Sequence, residues 1–92
     1  MRIFHSTSSS KRFTAVFADG RRVSFGQPGA ETYADGASLS KRASYLARHN
    51  PAVTREDWEN PYTAGALSRW ILWEEPSLEA GLRVYRHRFG FL

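Results

Sequence analysis

The sequence predicts an α+β fold in which a small antiparallel sheet, a β-hairpin or three strands, packs against about three helices. Three observations predict it. Apolar and polar residues alternate on both sides of Asp19-Gly20, which marks a hairpin. Two later segments, 37–50 and 77–90, repeat apolar residues at helical spacing behind a serine cap. Between them, Thr63-Ala-Gly-Ala-Leu-Ser-Arg-Trp-Ile-Leu-Trp-Glu-Glu-Pro-Ser-Leu78 holds two of the three tryptophans and leaves little helix surface for water. Strands first and helices after place the helices over one face of the sheet.

The hairpin is Phe13-Thr-Ala-Val-Phe-Ala-Asp-Gly-Arg-Arg-Val-Ser-Phe25. Phe13, Ala15 and Phe17 alternate with Thr14, Val16 and Ala18, and Val23 and Phe25 alternate with Arg22 and Ser24. A two-residue Asp-Gly loop would pair Phe17 with Arg22 and set apolar residues opposite polar ones. A three-residue loop, Ala18-Asp19-Gly20, pairs Phe17 with Arg21, Ala15 with Val23 and Phe13 with Phe25. That register gathers the apolar residues on one face, as a single buried face demands. The expected geometry is a type I turn with Gly20 left-handed in a G1 bulge.

Residues 1–10 read as a flexible N-terminal arm ahead of a single α+β domain at 11–92, because His5-Ser-Thr-Ser-Ser-Ser10 is of low complexity. Arg2-Ile3-Phe4 fits an edge strand as well as a disordered start. Gly26-Gln-Pro-Gly29 closes the second strand. Glu31-Thr-Tyr-Ala-Asp-Gly36 is expected to be a short extended piece, a third strand carrying Tyr33, since a lone hairpin is marginal in water.

Ala37 to Asn50 is a helix capped by Ser38 and stopped by Pro51. Leu39, Ala43, Leu46 and Ala47 are expected inward, Lys41, Arg42, Arg48 and His49 outward, with Tyr45 at the border. Thr54-Arg-Glu-Asp57 has the form of a capping box opening a turn that ends at Trp58. Asn60-Pro61 breaks that turn and Thr63 caps the next helix. Gly65, which costs ~1 kcal/mol there relative to alanine, suggests close approach of another backbone. Arg69 is the isolated cation on this apolar helix; buried unpaired it would be costly, so it snorkels or pairs with Asp57 or Glu74. Ser77 caps the last helix, Leu78, Leu82, Tyr85 and Phe89 form its apolar stripe, and Gly90 ends it. The expected core is Phe13, Phe17, Val23, Phe25, Trp58, Leu67, Trp70, Ile71, Trp73, Leu78, Leu82 and Tyr85.

Ninety-two residues with 41% hydrophobic content suit one domain with one core. The absence of cysteine excludes a disulfide framework, a thiolate nucleophile and cysteine-ligated zinc. No apolar run approaches the ~18 residues of a membrane span. The N-terminal stretch has no signal-peptide apolar region, so the expected site of folding is intracellular and the chain is not expected to be secreted. Formal net charge is +4, unevenly placed. Residues 1–50 carry eight Lys/Arg against three Asp/Glu, residues 51–76 two against five, and residues 77–92 three against one. Such zoning suits docking onto an acidic partner, a nucleic acid or a complementary protein.

Catalytic and metal chemistry find little support. His5, His49 and His87 fall in no metal-ligand spacing. Glu56, Asp57, Glu59, Glu74 and Glu75 sit at capping and turn positions, where carboxylates are ordinarily solvated. Gly26-x-x-Gly29 lacks the rest of a phosphate loop. No enzyme activity and no cofactor are therefore expected. The residues suited to a protein or nucleic-acid partner are the basic ones: Lys11, Arg12, Arg21, Arg22, Lys41, Arg42, Arg48, Arg83, Arg86 and Arg88.

The succession Phe13-Thr-Ala-Val-Phe-Ala-Asp-Gly-Arg-Arg-Val-Ser-Phe-Gly26, Tyr33-Ala-Asp35, Arg42-Ala-Ser-Tyr-Leu-Ala-Arg-His49, Trp58, Thr63-Ala-Gly-Ala-Leu-Ser-Arg-Trp-Ile-Leu-Trp73 and Pro76-Ser-Leu78 resembles a group of small, mostly uncharacterised proteins of large double-stranded DNA viruses of algae and protists. The resemblance covers roughly residues 12–85. It departs at Ala34-Asp-Gly36 and at Ala66, where the family commonly has an aromatic. It brings no catalytic motif. It implies a viral setting: a non-enzymatic structural or adaptor protein, a minor virion or capsid-associated component contacting capsid proteins, located in the virion or infected host cell. A basic nucleic-acid-binding protein of the same setting is the alternative.

Overall fold

Three antiparallel strands come first and three helices follow in the computed structural model, which describes residues 1–91. The strands are β1 (Arg2–His5), β2 (Phe13–Val16) and β3 (Arg22–Phe25), in the spatial order β1-β2-β3. The α+β class stands, with the helices on one face of the sheet.

The hairpin register is the one that the apolar pattern demands. Phe13 faces Phe25 and Ala15 faces Val23. The Phe17 N–H donates to Arg21 O, the Gly20 N–H donates to Phe17 O, and Gly20 has φ 91°. The loop is therefore Ala18-Asp19-Gly20. Phe13, Ala15, Phe17 and Phe25 are all buried. Thr14 and Ser24, on the other face, share a hydrogen bond of 3.0 Å.

The third strand comes from the other end of the sheet. Residues 2–5 do not join Ser6–Ser10 in a loose arm; they pair with β2, Ile3 against Ala15 and His5 against Phe13. Ile3 packs on the core and the His5 ring stacks on Phe13 at 5.5 Å. Glu31–Gly36 is not a strand. Tyr33–Asp35 is a 3₁₀ turn, because Thr32 and Asp35 close on each other: the Thr32 N–H and hydroxyl donate to Asp35 Oδ2 at 3.0 and 2.7 Å. Local side-chain bonds of this kind compete with strand pairing.

Helix α1 (Leu39–Arg48) is capped by Ser38, whose hydroxyl accepts from the Lys41 N–H. Its buried face differs from the expected one. Tyr45 is buried and Arg42, Leu46 and His49 are partly so, whereas Leu39 is 69% exposed and Ala43 and Ala47 face solvent. Arg42 lies inward because its Nε–H reaches the Trp73 carbonyl at 2.7 Å, and Tyr45 because it stacks on Trp73. The Thr54–Asp57 capping box does not form. The Thr54 hydroxyl sits between the His49 and Asn50 carbonyls and ties off the end of α1.

Helix α2 (Ala64–Leu67) begins at Thr63, whose hydroxyl accepts from the Ala66 N–H, and runs on as a π-helical segment, Ser68–Leu72. Ala66, Leu67, Ile71, Leu72 and Trp73 are buried. Trp70 is only partly buried; its indole N–H donates to the Trp58 carbonyl at 2.8 Å, and Trp58 is partly buried too. Helix α3 (Leu78–Phe89) is capped by Ser77 and ends at Gly90, φ 75°. Tyr85 is fully buried and its hydroxyl donates to Pro61 O at 2.6 Å. Leu78 leaves the expected core, 37% exposed in the first turn of α3, whereas Leu82 and Val23 pack at the core margin.

The close approach between backbones falls at Gly81, not Gly65. A β-carbon on Gly81 would lie 2.1 Å from the Ile71 carbonyl oxygen, so α3 seats directly on the π-helical segment. At Gly65 the neighbour is a side chain, Glu56.

Candidate functional site

Elements from both halves of the chain enclose a cleft of about 630 Å³. Ser10-Lys11 ahead of β2 and the Gly26–Thr32 loop after β3 form one wall. One face of α1 and the first turn of α2 form the other. Its floor is aromatic. Tyr45 lies between Trp73, parallel at 4.3 Å and 5°, and His49, at 4.3 Å and 22°. Burial, reinforced by the charge of Glu56, pushes the Tyr45 hydroxyl well above the usual tyrosine range, so it is a neutral group here.

His49 is held from its other side. Its Nδ1 meets Glu56 Oε2 at 2.5 Å, and Glu56 Oε1 lies 3.4 Å from the Trp58 indole nitrogen. Gly65 makes room for this carboxylate, since a β-carbon there would come within 2.9 Å of Glu56 Oε1. Sequence reasoning set Glu56 among solvated carboxylates and His49 on an outward face, and missed the pair. The seven-residue separation across the end of α1 carries no pattern that would have revealed it. A carboxylate on Nδ1 orients an imidazole as in a general base. Ser68 lines the same cleft, but no hydrogen bond joins it to His49 among the described residues, so the nucleophile–base link of acyl transfer is not made. No cluster of three metal-ligating side chains occurs among the described residues.

The basic residues divide sharply. Lys11, Lys41 and Arg48 meet at the rim of the cleft, and none forms an ion pair among the described residues. Five others are held by carboxylates. Arg12 grips Asp35 through two bonds of 2.6 and 2.7 Å, which holds the Asp35 carboxyl far below the usual carboxylate range. Arg21 meets Asp19 at 3.1 Å and lies over the Tyr62 ring. Arg42 meets Glu74 at 3.1 Å, Arg83 meets Glu79 at 3.7 Å, and Arg88 meets Glu59 at 2.8 Å. Arg86 donates to the Met1 carbonyl at 3.0 Å, and Arg22 is exposed at the start of β3. Arg69 pairs with Glu74 at 2.7 Å, one of the two carboxylates expected, and its guanidinium lies 4.2 Å from the Trp70 ring centre. Of the ten expected basic residues, Lys11, Lys41 and Arg48 are those that line this cleft.

The chain is thus a small α+β domain with a recess that joins an aromatic floor to a cationic rim. By sequence the chain belongs to a family of unknown function, DUF5754, whose model matches residues 1–49. "Uncharacterized protein L851" of Acanthamoeba polyphaga mimivirus is 36% identical over 80 residues, 79% of this chain and 80% of its own length. The relative comes from a large DNA virus of amoebae, as the resemblance implied. No solved structure matches. No helix among the described residues is long and apolar enough to cross a membrane.

Proposed function

We propose that this protein is a non-enzymatic adaptor, a minor virion or capsid-associated component of a large DNA virus, which holds an acidic segment of a larger protein subunit in the cleft. The observation that carries this reading is that Lys11, Lys41 and Arg48, all without ion-pair partners among the described residues, line the cleft whose floor is Tyr45 and Trp73, while carboxylates neutralise most other cations. A nucleic-acid interface draws its affinity from many phosphate contacts along one continuous basic surface. Here three cations, together with Glu31 and Glu56, line a bounded recess of about 630 Å³, a geometry that suits a few side chains of a peptide, its carboxylates on the cations and its apolar residues on the aromatic floor. The mimivirus relative supports the viral setting.

The test compares an acidic peptide with duplex DNA by fluorescence anisotropy, for the wild type and for Lys41→Glu/Arg48→Glu. Peptide binding that weakens about tenfold or more in the variant supports the adaptor reading, since two favourable charge contacts become repulsive. Preference for DNA with a steep salt dependence would replace it with the nucleic-acid reading. Mass spectrometry of purified particles tests the virion assignment separately; absence of the protein from particles would remove that part.

A further inference from the structure

A second surface lies at the free edge of β1. The Ser6 N–H donates to Arg12 O, and the Phe17 N–H donates to Arg21 O on the opposite side of β2. With the register Arg2–Val16 and Phe4–Thr14, these bonds place the peptide groups of Arg2 and Phe4 toward β2. Those of Ile3 and His5 therefore point away from the sheet, and none has a hydrogen-bond partner among the described residues. The same edge is already recognised once from within, because Arg86 of α3 donates to the Met1 carbonyl.

A cleft of about 570 Å³ runs between this edge and α3. Its apolar lining includes Ile3, Phe4, Leu78 and Leu82, and Phe4 and Leu78 are 51% and 37% exposed. Arg2, Arg12 and Arg86 also line it, and no carboxylate does among the described residues. An unpaired strand edge beside an apolar trough is the arrangement that accepts an added strand: main-chain bonds supply affinity and alternate side chains supply selectivity.

We propose that the β1 edge captures an extended acidic segment of a partner protein as a fourth strand. Its outward N–H and C=O groups pair with Ile3 and His5. Its alternate apolar side chains lie over Leu78 and Leu82, and its carboxylates meet Arg2 and Arg86. A second copy of this chain is the poorer occupant. Antiparallel pairing of two β1 edges about a two-fold axis that sets Ile3 against His5 sets Arg2 against Ser6, so the arginine-lined troughs of the two copies adjoin with no carboxylate lining either among the described residues. The site is independent of the cleft beside α1, with which it shares no lining residue.

The experiment titrates the whole chain with a ten-residue peptide of alternating glutamate and valine, followed by residue-resolved amide hydrogen exchange. Slowed exchange at Ile3 and His5 on peptide addition is the expected result. His5→Pro removes one outward donor while leaving the bonds to β2, and proline is tolerated on an edge strand. It should weaken binding about tenfold, with the fold checked by circular dichroism. Arg2→Glu, an exposed change that disturbs no hydrogen bond, should weaken binding to a similar extent. Absence of binding, binding without protection at Ile3 and His5, or full affinity in both variants would overturn the proposal. So would protection of those amides that follows protein concentration without peptide, which would identify a second copy as the occupant.

Discussion

Replacing Gly81 by alanine sets two well-characterised effects against each other. Within a helix the change is favourable by about 1 kcal/mol on propensity alone. At this position the new β-carbon would lie 2.1 Å from Ile71 O, 2.8 Å from its carbonyl carbon and 3.1 Å from its Cα. Ordinary contact begins near 3.4 Å, so the oxygen is about 1.3 Å too close. All three atoms are backbone, so no rotamer change relieves the overlap and α3 must move off the π-helical segment. Overpacking of a core costs about 1–3 kcal/mol, and rigid neighbours put this case at or above the upper end. The net expectation is a loss of about 2 kcal/mol, or roughly 10 °C in Tm for a domain of this size. Urea unfolding followed by tryptophan fluorescence measures it as a lower midpoint at unchanged slope. Arg83→Ala, exposed on the same helix, should stay within about 0.5 kcal/mol. A Gly81→Ala protein as stable as the wild type, or more stable, would refute the seating of α3 on Ile71.

Three further outcomes are expected. Glu74→Ala removes the carboxylate shared by Arg42 and Arg69, leaves Arg69 enclosed without an anionic partner, and should cost about 2–3 kcal/mol by denaturant unfolding; an unchanged midpoint would assign no stabilising role to the network. Gly20→Val forces a β-branched residue to φ 91° in open space and should cost about 2 kcal/mol through backbone strain alone, seen as a lower Tm. In alkali, burial raises the Tyr45 and Tyr85 hydroxyls, so their stabilising contribution is whole below about pH 10 and is lost above it, where the unfolded chain releases protons that the folded one keeps. Asp35 works in the opposite sense: its carboxyl is lowered by Arg12, so its contribution holds above about pH 4 and disappears as the pH falls through its depressed range. Phenolate absorbance that rises fully at pH 10 without unfolding would contradict the first of these signs.

The hairpin was legible to the register because two-residue periodicity and a single buried face admit only one loop length. The serine and threonine caps at Ser38, Thr63 and Ser77 were legible for a similar reason, since each side chain serves an N–H three residues on. What stayed hidden depends on partners remote in sequence. The inward face of α1 was misread because Arg42 and His49 count as polar, although each turns inward toward a specific acceptor, Trp73 O and Glu56. The strand of residues 2–5 was obscured by the serine run that follows it. Tyr33–Asp35 had the opposite fault: Thr32 and Asp35 carry a turn signature, a threonine answered by an acid three residues on, which was read as an extended segment. The cleft beside α1 was invisible as a unit, because its lining residues Lys11, Lys41 and Arg48 come to one recess only once the sheet and α1 are in place.

The charge zoning also changes meaning in three dimensions. Along the chain, an acidic stretch at 51–76 between two basic ones suggested separate docking faces. In the fold the zones largely answer each other: Glu59 takes Arg88, Glu74 takes Arg42 and Arg69, and Glu56 takes His49. Most of the acidic zone is therefore internal counter-charge for the basic segments on either side. Among the described residues that leaves Lys11, Lys41 and Arg48 around the aromatic cleft, Arg2 and Arg86 beside the open strand edge, and Arg22 and Arg55 elsewhere, without a carboxylate partner. The adaptor proposed above, joining two larger subunits, would require two separate recognition surfaces, and the two clefts are where unpaired cations lie beside apolar side chains. If both take acidic segments, then reversing charge at Arg2 and at Lys41/Arg48 should impair binding independently, with effects on the free energy that add, because the two surfaces share no side chain.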